Sequence, residues 1–356
     1  MDKIFSGRVT NASVAYYHLP PVWIGNDPFK EGATPSRQSL SEVVFTKALS
    51  SSIRVQVCRD GLFIFNFSDW GPGAPVTIPG WKSSPGEKVP KAVQDAERKG
   101  EEHVYRRVEA MNAHLACLNS AISSCQLLGM PIGQVVSPSD VLNVHWRDSG
   151  EGEFGLNPYW SPMHASVTLQ RNLLTGGDLI QSRRNHVLSM ETIEKSFDIF
   201  EALVSSNVPD CLTMSAILLQ SVKSYGEHDF STSLTMSWTM LEKLVSAIWE
   251  EMLEDNKSRV EGDATISFIG SDRKKKLRGR DYTASVRIEI LSLLGHMNIK
   301  MYDDLNKVRT SRNDWLHNFE QVDENLASLA IQTAQRLFEQ VAKIKLSLTI
   351  SRSISV

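Results

Sequence analysis

A chain of 356 residues with 41% hydrophobic and 22% charged residues is long enough for two domains, each with its own core, and its composition excludes wholesale disorder. Its 38 basic and 41 acidic residues leave a formal charge of −3, so any nucleic acid has to be met by a local patch rather than by bulk charge. The opening MDKIFSGRVTNASVAYY lacks a basic start followed by an apolar run, and no window approaches about 18 uninterrupted apolar residues, which predicts a cytoplasmic protein without a membrane partner.

In IRVQVCRDGLFIFNF, Ile53, Val55 and Val57 alternate with polar residues, Arg59-Asp60-Gly61 supplies turn chemistry, and apolar residues resume at Leu62. A hairpin is expected there. The next stretch, DWGPGAPVTIPGWKSSPGEKVP, carries five prolines between 72 and 90 and is expected to form a loop, since proline removes backbone donors. Its Trp70 and Trp81 either pack the loop down or offer a contact surface. From Lys91 to Leu128, apolar residues at Val104, Val108, Met111, Leu115, Leu118, Ile122 and Cys125 recur at steps of four and three, the mark of a long amphipathic helix. Two strand-like pieces, DVLNVHW and HASVTLQ, follow, and TGGD near 175 marks the exit from the domain. Beyond about 185 every recognisable segment is helical, with helices expected near 190–205, 210–225, 229–254, 283–295, 300–318 and 324–346. The expected fold is therefore α+β: a mixed α/β domain over 1–185, then an all-α bundle over 186–350.

Several motifs carry no chemistry. Cys58, Cys117, Cys125 and Cys211 fall in no zinc spacing and read as reduced packing thiols. GEGEFG at 150–155 matches G-x-G-x-x-G, but its two glutamates would repel a phosphate and LNPYW follows in place of a helix, so it reads as a turn. Neither G-x-S-x-G nor HExxH occurs, and neither a metal nor a cofactor is expected.

The stretch NKVRTSRNDWLHNF, residues 306–319, is different. At about 100° per residue, Val308, Trp315, Leu316 and Phe319 share one stripe, and Arg312 falls inside it. A guanidinium there needs an acid partner or a polar cavity. Asn306, Asn313 and His317 lie on the neighbouring strip, with Asn313 and His317 at i and i+4. Arg312 and His317 point about 140° apart, so one helix holds them poorly together. Two copies across a two-fold axis would present both pairs in one groove, which makes a homodimer the natural geometry. In FSTSLTMSWTMLEKLVSAIWEEML, the residues Leu234, Trp238, Leu241, Val245, Ile248 and Met252 form a core stripe. Glu242 stands at its edge, either as the partner of Arg312 or as a solvated residue. The spacing R-x4-H alone is weak: roughly half a match is expected by chance, and Arg98 with His103 supplies a second one on a charged helix start.

The order SLTMSWTMLEKLV, a basic insertion, then MYDDLNKVRTSRNDWLHNF resembles the HEPN superfamily, and more narrowly the Apea-like HEPN domains. The resemblance covers about 190–346 and implies a helical bundle with metal-independent endoribonuclease activity, commonly in toxins and antiviral defence. Carried onto this chain, it places Arg312, Asn313 and His317 as catalytic residues; the helix wheel adds Glu242, Arg309 and Asn306 as supporting residues, Arg309 at about 40° as a candidate second phosphate ligand. The residue types suit the chemistry: His317 takes the proton of a ribose 2′-hydroxyl, Arg312 holds the phosphate, and Asn313 orients either one. Products would end in a 2′,3′-cyclic phosphate and a 5′-hydroxyl. A position near a helix C-terminus favours the imidazolium, and so proton donation by His317. The alternative is a HEPN dimer without catalysis that binds RNA or a protein, Arg312 with Glu242 serving only as a buried pair that fixes helix register. RKKKLRGR, with Arg273, Lys274, Lys275, Lys276, Arg278 and Arg280, either contacts RNA phosphates or is a solvated loop. The N-terminal domain resembles nothing named and leaves room for a sensor, or for an activating or inhibiting protein partner.

Overall fold

The computed structural model describes residues 8–19, 22–27, 41–81, 88–125, 134–145, 153–155, 186–261 and 264–350. The chain divides into two compact units, 1–205 and 206–356. The boundary falls about twenty residues beyond the one drawn at 185/186, because the helix Met190–Val204 packs with the first unit.

The N-terminal unit is built on a six-stranded antiparallel sheet. Its strands are β2 (Ser13–Tyr17), β4 (Val43–Ala48), β5 (Arg54–Cys58), β6 (Leu62–Asn66), β8 (Leu142–His145) and β9 (Glu153–Gly155), in the order β4-β5-β6-β2-β8-β9. The expected hairpin is β5–β6, and Gly61 at its turn has φ +78°, a left-handed conformation that glycine adopts without steric cost. Every side chain of β2 and β6 is buried, which is why LFIFN reads as a continuous apolar run rather than an alternation. Glu153–Gly155 is a strand, so GEGEFG ends in sheet and not only in a turn. Short pairs complete the unit: β1 (Arg8–Val9) with β7 (Thr77–Ile78), and β3 (Val22–Ile24) with β10 (His186–Leu188). The strand β7 sits between Pro75 and Pro79, so the proline-rich loop does hold two residues of ladder. Trp70 is buried against Phe67, while Trp81 is half-buried. The HASVTLQ strand and the TGGD exit lie outside the described residues.

Two helices cover one face of this sheet, α1 (Lys91–Ser124) and α2 (Met190–Val204), which pack on each other. Ser189 caps α2 by accepting from the Thr192 N–H, a bond worth about 1 kcal/mol. Between helices and sheet lies an aromatic layer in which the His114 ring stacks on Phe197 with centroids 4.2 Å apart, flanked by Phe63, Phe65 and Phe200. His114 is fully buried and its two ring nitrogens meet Tyr16 Oη at 2.9 Å and Ser196 Oγ at 3.3 Å. Burial pushes its pKa down to about 3, and nearby His18 adds to the effect.

The C-terminal unit is largely helical: α3 (Cys211–Gly226), α4 (Phe230–Asp255), α5 (Ser271–Leu277), α6 (Ala284–Leu293), α7 (Ile299–Asn318) and α8 (Glu324–Ala342). The central helix α4 touches α3, α6, α7 and α8. Its stripe of Leu234, Trp238, Leu241, Val245, Ile248 and Met252 is buried as the spacing predicts. Buried Ser221, Ser233 and Ser237 join α3 to α4, with Ser221 Oγ donating to the Ser233 carbonyl at 2.8 Å and lying 2.7 Å from Ser237 Oγ. Small side chains there allow the two helices to approach. Asp229, Asn298 and Asp323 cap α4, α7 and α8 through backbone N–H groups three residues on. The half is not all-α: a hairpin, β11 (Ser258–Glu261) with β12 (Ala264–Ser267), follows α4. Its four-residue strands are too short and polar to announce themselves by periodicity. All four cysteines are free, three of them buried. No described helix is long and apolar enough to cross a membrane.

Candidate active site

Helix α7 begins as a core helix and ends as a surface one. Met301, Leu305 and Val308 are buried, and steps of four and three bring Arg312 next on the same stripe. Beyond it the stripe leaves the core: Trp315 is half-buried, Leu316 is 42% exposed and Phe319 is 79% exposed. The wheel that predicts a buried face through Phe319 is thus right for its first half only. Among the described residues, the last turn from Leu316 to Phe319 is exposed.

Arg312 is half-buried, and its Nη1 donates to Asn313 Oδ1 at 3.1 Å. Its Nε is buried and meets no acceptor among the described residues. Glu242, the acid considered as its partner, does not reach it: Glu242 is exposed on α4 and lines a cavity with Arg278, Arg280 and Arg287. Trp238 and Leu241 take the buried stripe, and one residue further around the helix the carboxylate faces outward. Arg309 and Asn306 form a long contact, with Nε 3.4 Å from Oδ1, one turn before Arg312. His317 is exposed in the last turn of α7 and makes no hydrogen bond among the described residues. Arg312 and Asn313 are therefore joined by a hydrogen bond within one chain, and among the described residues none joins His317 to either. No Arg312–His317 hydrogen bond occurs among the described residues, in keeping with their angular separation on the helix.

The helix end is shaped by Phe319. With φ 55° and ψ 31° it takes the left-handed cap position, its N–H donating to the Trp315 carbonyl at 3.0 Å. Glycine is the usual occupant because a side chain there is strained by about 1 kcal/mol. The Phe319 ring nonetheless stands edge-on to Trp315, centroids 6.0 Å apart. Half-buried Trp315 and exposed Phe319 thus border the Arg312–His317 turn.

The second R-x4-H pair contrasts with this one. Arg98 pairs with Asp95 at 3.4 Å, and His103 Nδ1 lies 2.7 Å from the Ala74 carbonyl, so both side chains are engaged structurally.

The basic run forms α5 and the turn after it. Arg273 lies over the Phe268 ring at 4.6 Å and donates to the Phe268 carbonyl. Lys274 pairs with Glu254 at 2.6 Å, and Arg278 grips both oxygens of Glu250. These acids sit one turn apart on α4, which local sequence around the run does not disclose. Hydrogen bonds from Lys274 and Lys257 pull the Glu254 carboxyl down to about 2. Lys275, Lys276 and Arg280 are exposed and form no ion pair among the described residues. Half of the run therefore stays available to an external anion. Arg287, four residues into α6, joins this group and was not singled out from the sequence, because it lies outside the run.

No group of three or more His, Cys, Asp and Glu side chains that could hold a metal ion occurs among the described residues. No family model, curated protein or solved structure matches the chain.

Proposed function

We propose that the C-terminal unit is a HEPN-type endoribonuclease of cytoplasmic toxin or antiviral defence, acting as a homodimer with a composite site. The observation that carries this reading is the exposed last turn of α7. There a half-buried arginine whose Nε meets no acceptor among the described residues, an asparagine bonded to it and an exposed histidine without a hydrogen bond among those residues lie beside exposed Leu316 and Phe319. A guanidinium in an apolar stripe without an acid is costly unless an anion or a second surface meets it. A second copy across a two-fold axis would cover the apolar pair and bring two arginines and two histidines to one groove.

In that groove one His317 accepts the proton of the ribose 2′-hydroxyl while O2′ attacks phosphorus. Arg312 binds the non-bridging oxygens, on which negative charge grows as the five-coordinate phosphorus forms. The bond to O5′ breaks, and the partner's His317 supplies the proton that this leaving oxygen needs. The products are a 2′,3′-cyclic phosphate and a 5′-hydroxyl. Asn313, bonded to Arg312, keeps the guanidinium oriented. This chemistry needs no metal. The N-terminal unit is the place for a trigger or restraint, which would act by differential affinity for two states.

Purified wild type and His317→Ala, incubated with a mixed RNA and tRNA pool in excess EDTA, test the reading through the ends of the fragments. Cleavage by wild type alone, leaving 2′,3′-cyclic phosphate, supports it. The rival, a HEPN dimer that only binds, is favoured by the lack of a hydrogen bond between Arg312 and His317 among the described residues of one chain. It predicts intact RNA in both samples, together with a dimer that Phe319→Ser dissociates.

A further inference from the structure

A second feature of the C-terminal unit lies apart from the α7 turn. Glu242 and Ser246 of α4, Arg278 to Arg280 after α5, and Tyr282 to Ala284 with Arg287 at the start of α6 line a cavity of about 270 Å³. Three guanidinium groups and one carboxylate face it. Arg278 is already committed to Glu250, but Arg280 is exposed without an ion pair among the described residues. Arg287 donates through Nη1 to Ser246 Oγ at 2.9 Å and lies over the Trp249 ring at 5.9 Å, and its Nε is buried without an acceptor among the described residues. The wall behind it is firm: Trp249 is 1% exposed, donates to the Leu277 carbonyl at 3.2 Å and packs on Tyr282 at 5.6 Å. Thr283 begins α6 at this wall without a side-chain capping bond, so the first-turn N–H groups keep their positive end free.

We propose that this cavity takes one sugar-phosphate unit of a nucleotide or an RNA strand. Arg280 and Arg287 would hold the phosphate, and Glu242 would accept a hydrogen bond from a sugar hydroxyl. Guanidinium groups suit phosphate oxygens by geometry as well as charge. A lone carboxylate among them repels a bare anion but suits an anion that carries hydroxyls beside it. The volume admits a phosphate and a ribose and excludes a folded oligonucleotide, so a longer strand would thread only one unit into it. The RNA arm rests on the ribonuclease reading; the nucleotide arm does not.

The test uses the full chain carrying His317→Ala, so that no probe is consumed. Binding of AMP, of 2′,3′-dideoxy-AMP and of a uridine octamer without terminal phosphates is measured at about 50 and 200 mM salt. Arg280→Gln, on an exposed side chain, and Arg287→Gln are compared with it. The expected result is a loss of about tenfold or more in affinity in each arginine variant, with AMP preferred to its dideoxy analogue. If the strand is the natural occupant, the octamer is weakened and its log–log salt slope falls by about one. If a mononucleotide is, only AMP is affected. Absence of binding by AMP and octamer alike, or binding indifferent to Arg280→Gln in a folded protein, overturns the proposal, and equal affinity for dideoxy-AMP overturns the role of Glu242. RNA cleavage by the unmutated chain is scored separately: binding without cutting removes the nuclease and keeps the cavity, and cutting with arginine-independent binding does the reverse.

Discussion

In the N-terminal unit, Arg107 and His114 are buried and face inward. Arg107 is 3% exposed, and its Nε donates to the Gly73 carbonyl at 2.6 Å while Nη1 donates to the Asn11 carbonyl. His114 is enclosed by aromatic rings and bonded through both nitrogens. In the C-terminal unit, Arg312 and His317 lie at the open end of a helix, one bonded only to its neighbour and the other to nothing among the described residues. The same residue types thus serve opposite ends. Where the chain supplies the partners the pair locks a fold, and where the described residues supply none, the pair is left open for the ligand or second copy proposed above.

Breaking this contrast should produce its largest effect in activity. Arg312→Ala and His317→Ala are each expected to reduce RNA cleavage by about 10²–10⁴-fold, while calorimetry shows melting close to wild type. Unfolding of either variant at the wild-type assay temperature would instead assign these residues to packing. Arg107→Ala should do the reverse, lowering the stability of the N-terminal unit by about 2–4 kcal/mol in denaturant unfolding, since it strands two carbonyls.

The acid side of the contrast is set by His114. Its folded pKa of about 3 lies below the unfolded value of about 6.5, so the unfolded chain binds the extra proton. Its contribution is therefore complete above pH 6.5 and is lost as pH falls from there toward 3, by about 2 kcal/mol between pH 7 and pH 5. His114→Gln should flatten that dependence, measured as Tm against pH. A slope unchanged by the substitution would mean that another group titrates. The smallest effect is expected at Phe319→Gly, which relieves the left-handed cap and should stabilise the isolated unit's helix end by about 0.5–1 kcal/mol. If a second copy covers Phe319, the same change should weaken self-association about tenfold in sedimentation, and unchanged association would place the dimer surface elsewhere.

Much of the fold was legible. Helices expected near 210–225, 229–254 and 300–318 are present within a residue or two, because their stripes repeat over three or more turns and Asp229 and Asn298 provide starts. The hairpin β11–β12 and the short helix α5 escaped, being too brief for periodicity to rise above noise. At the candidate site, Arg312, Asn313 and His317 were named from spacing and resemblance. The failure of Glu242 to pair could not have been foreseen, since pairing depends on which side of α4 faces α7. Arg287 was missed because it lies outside the basic run, and only folding brings it beside Arg278 and Arg280.

What the amino-acid order determined by itself is local and periodic. It set the class of the fold, the amphipathic helices and the arginine–histidine turn, because such features depend on neighbours within a few residues. The tertiary structure alone decided where each side chain ended. It sent α2 to the N-terminal unit, engaged half of the basic run with Glu250 and Glu254, left Arg312 without an acid and gathered Arg287 with Arg280 around a cavity. Those outcomes turn on partners far apart in the chain, whose meeting is governed by helix packing rather than by local spacing.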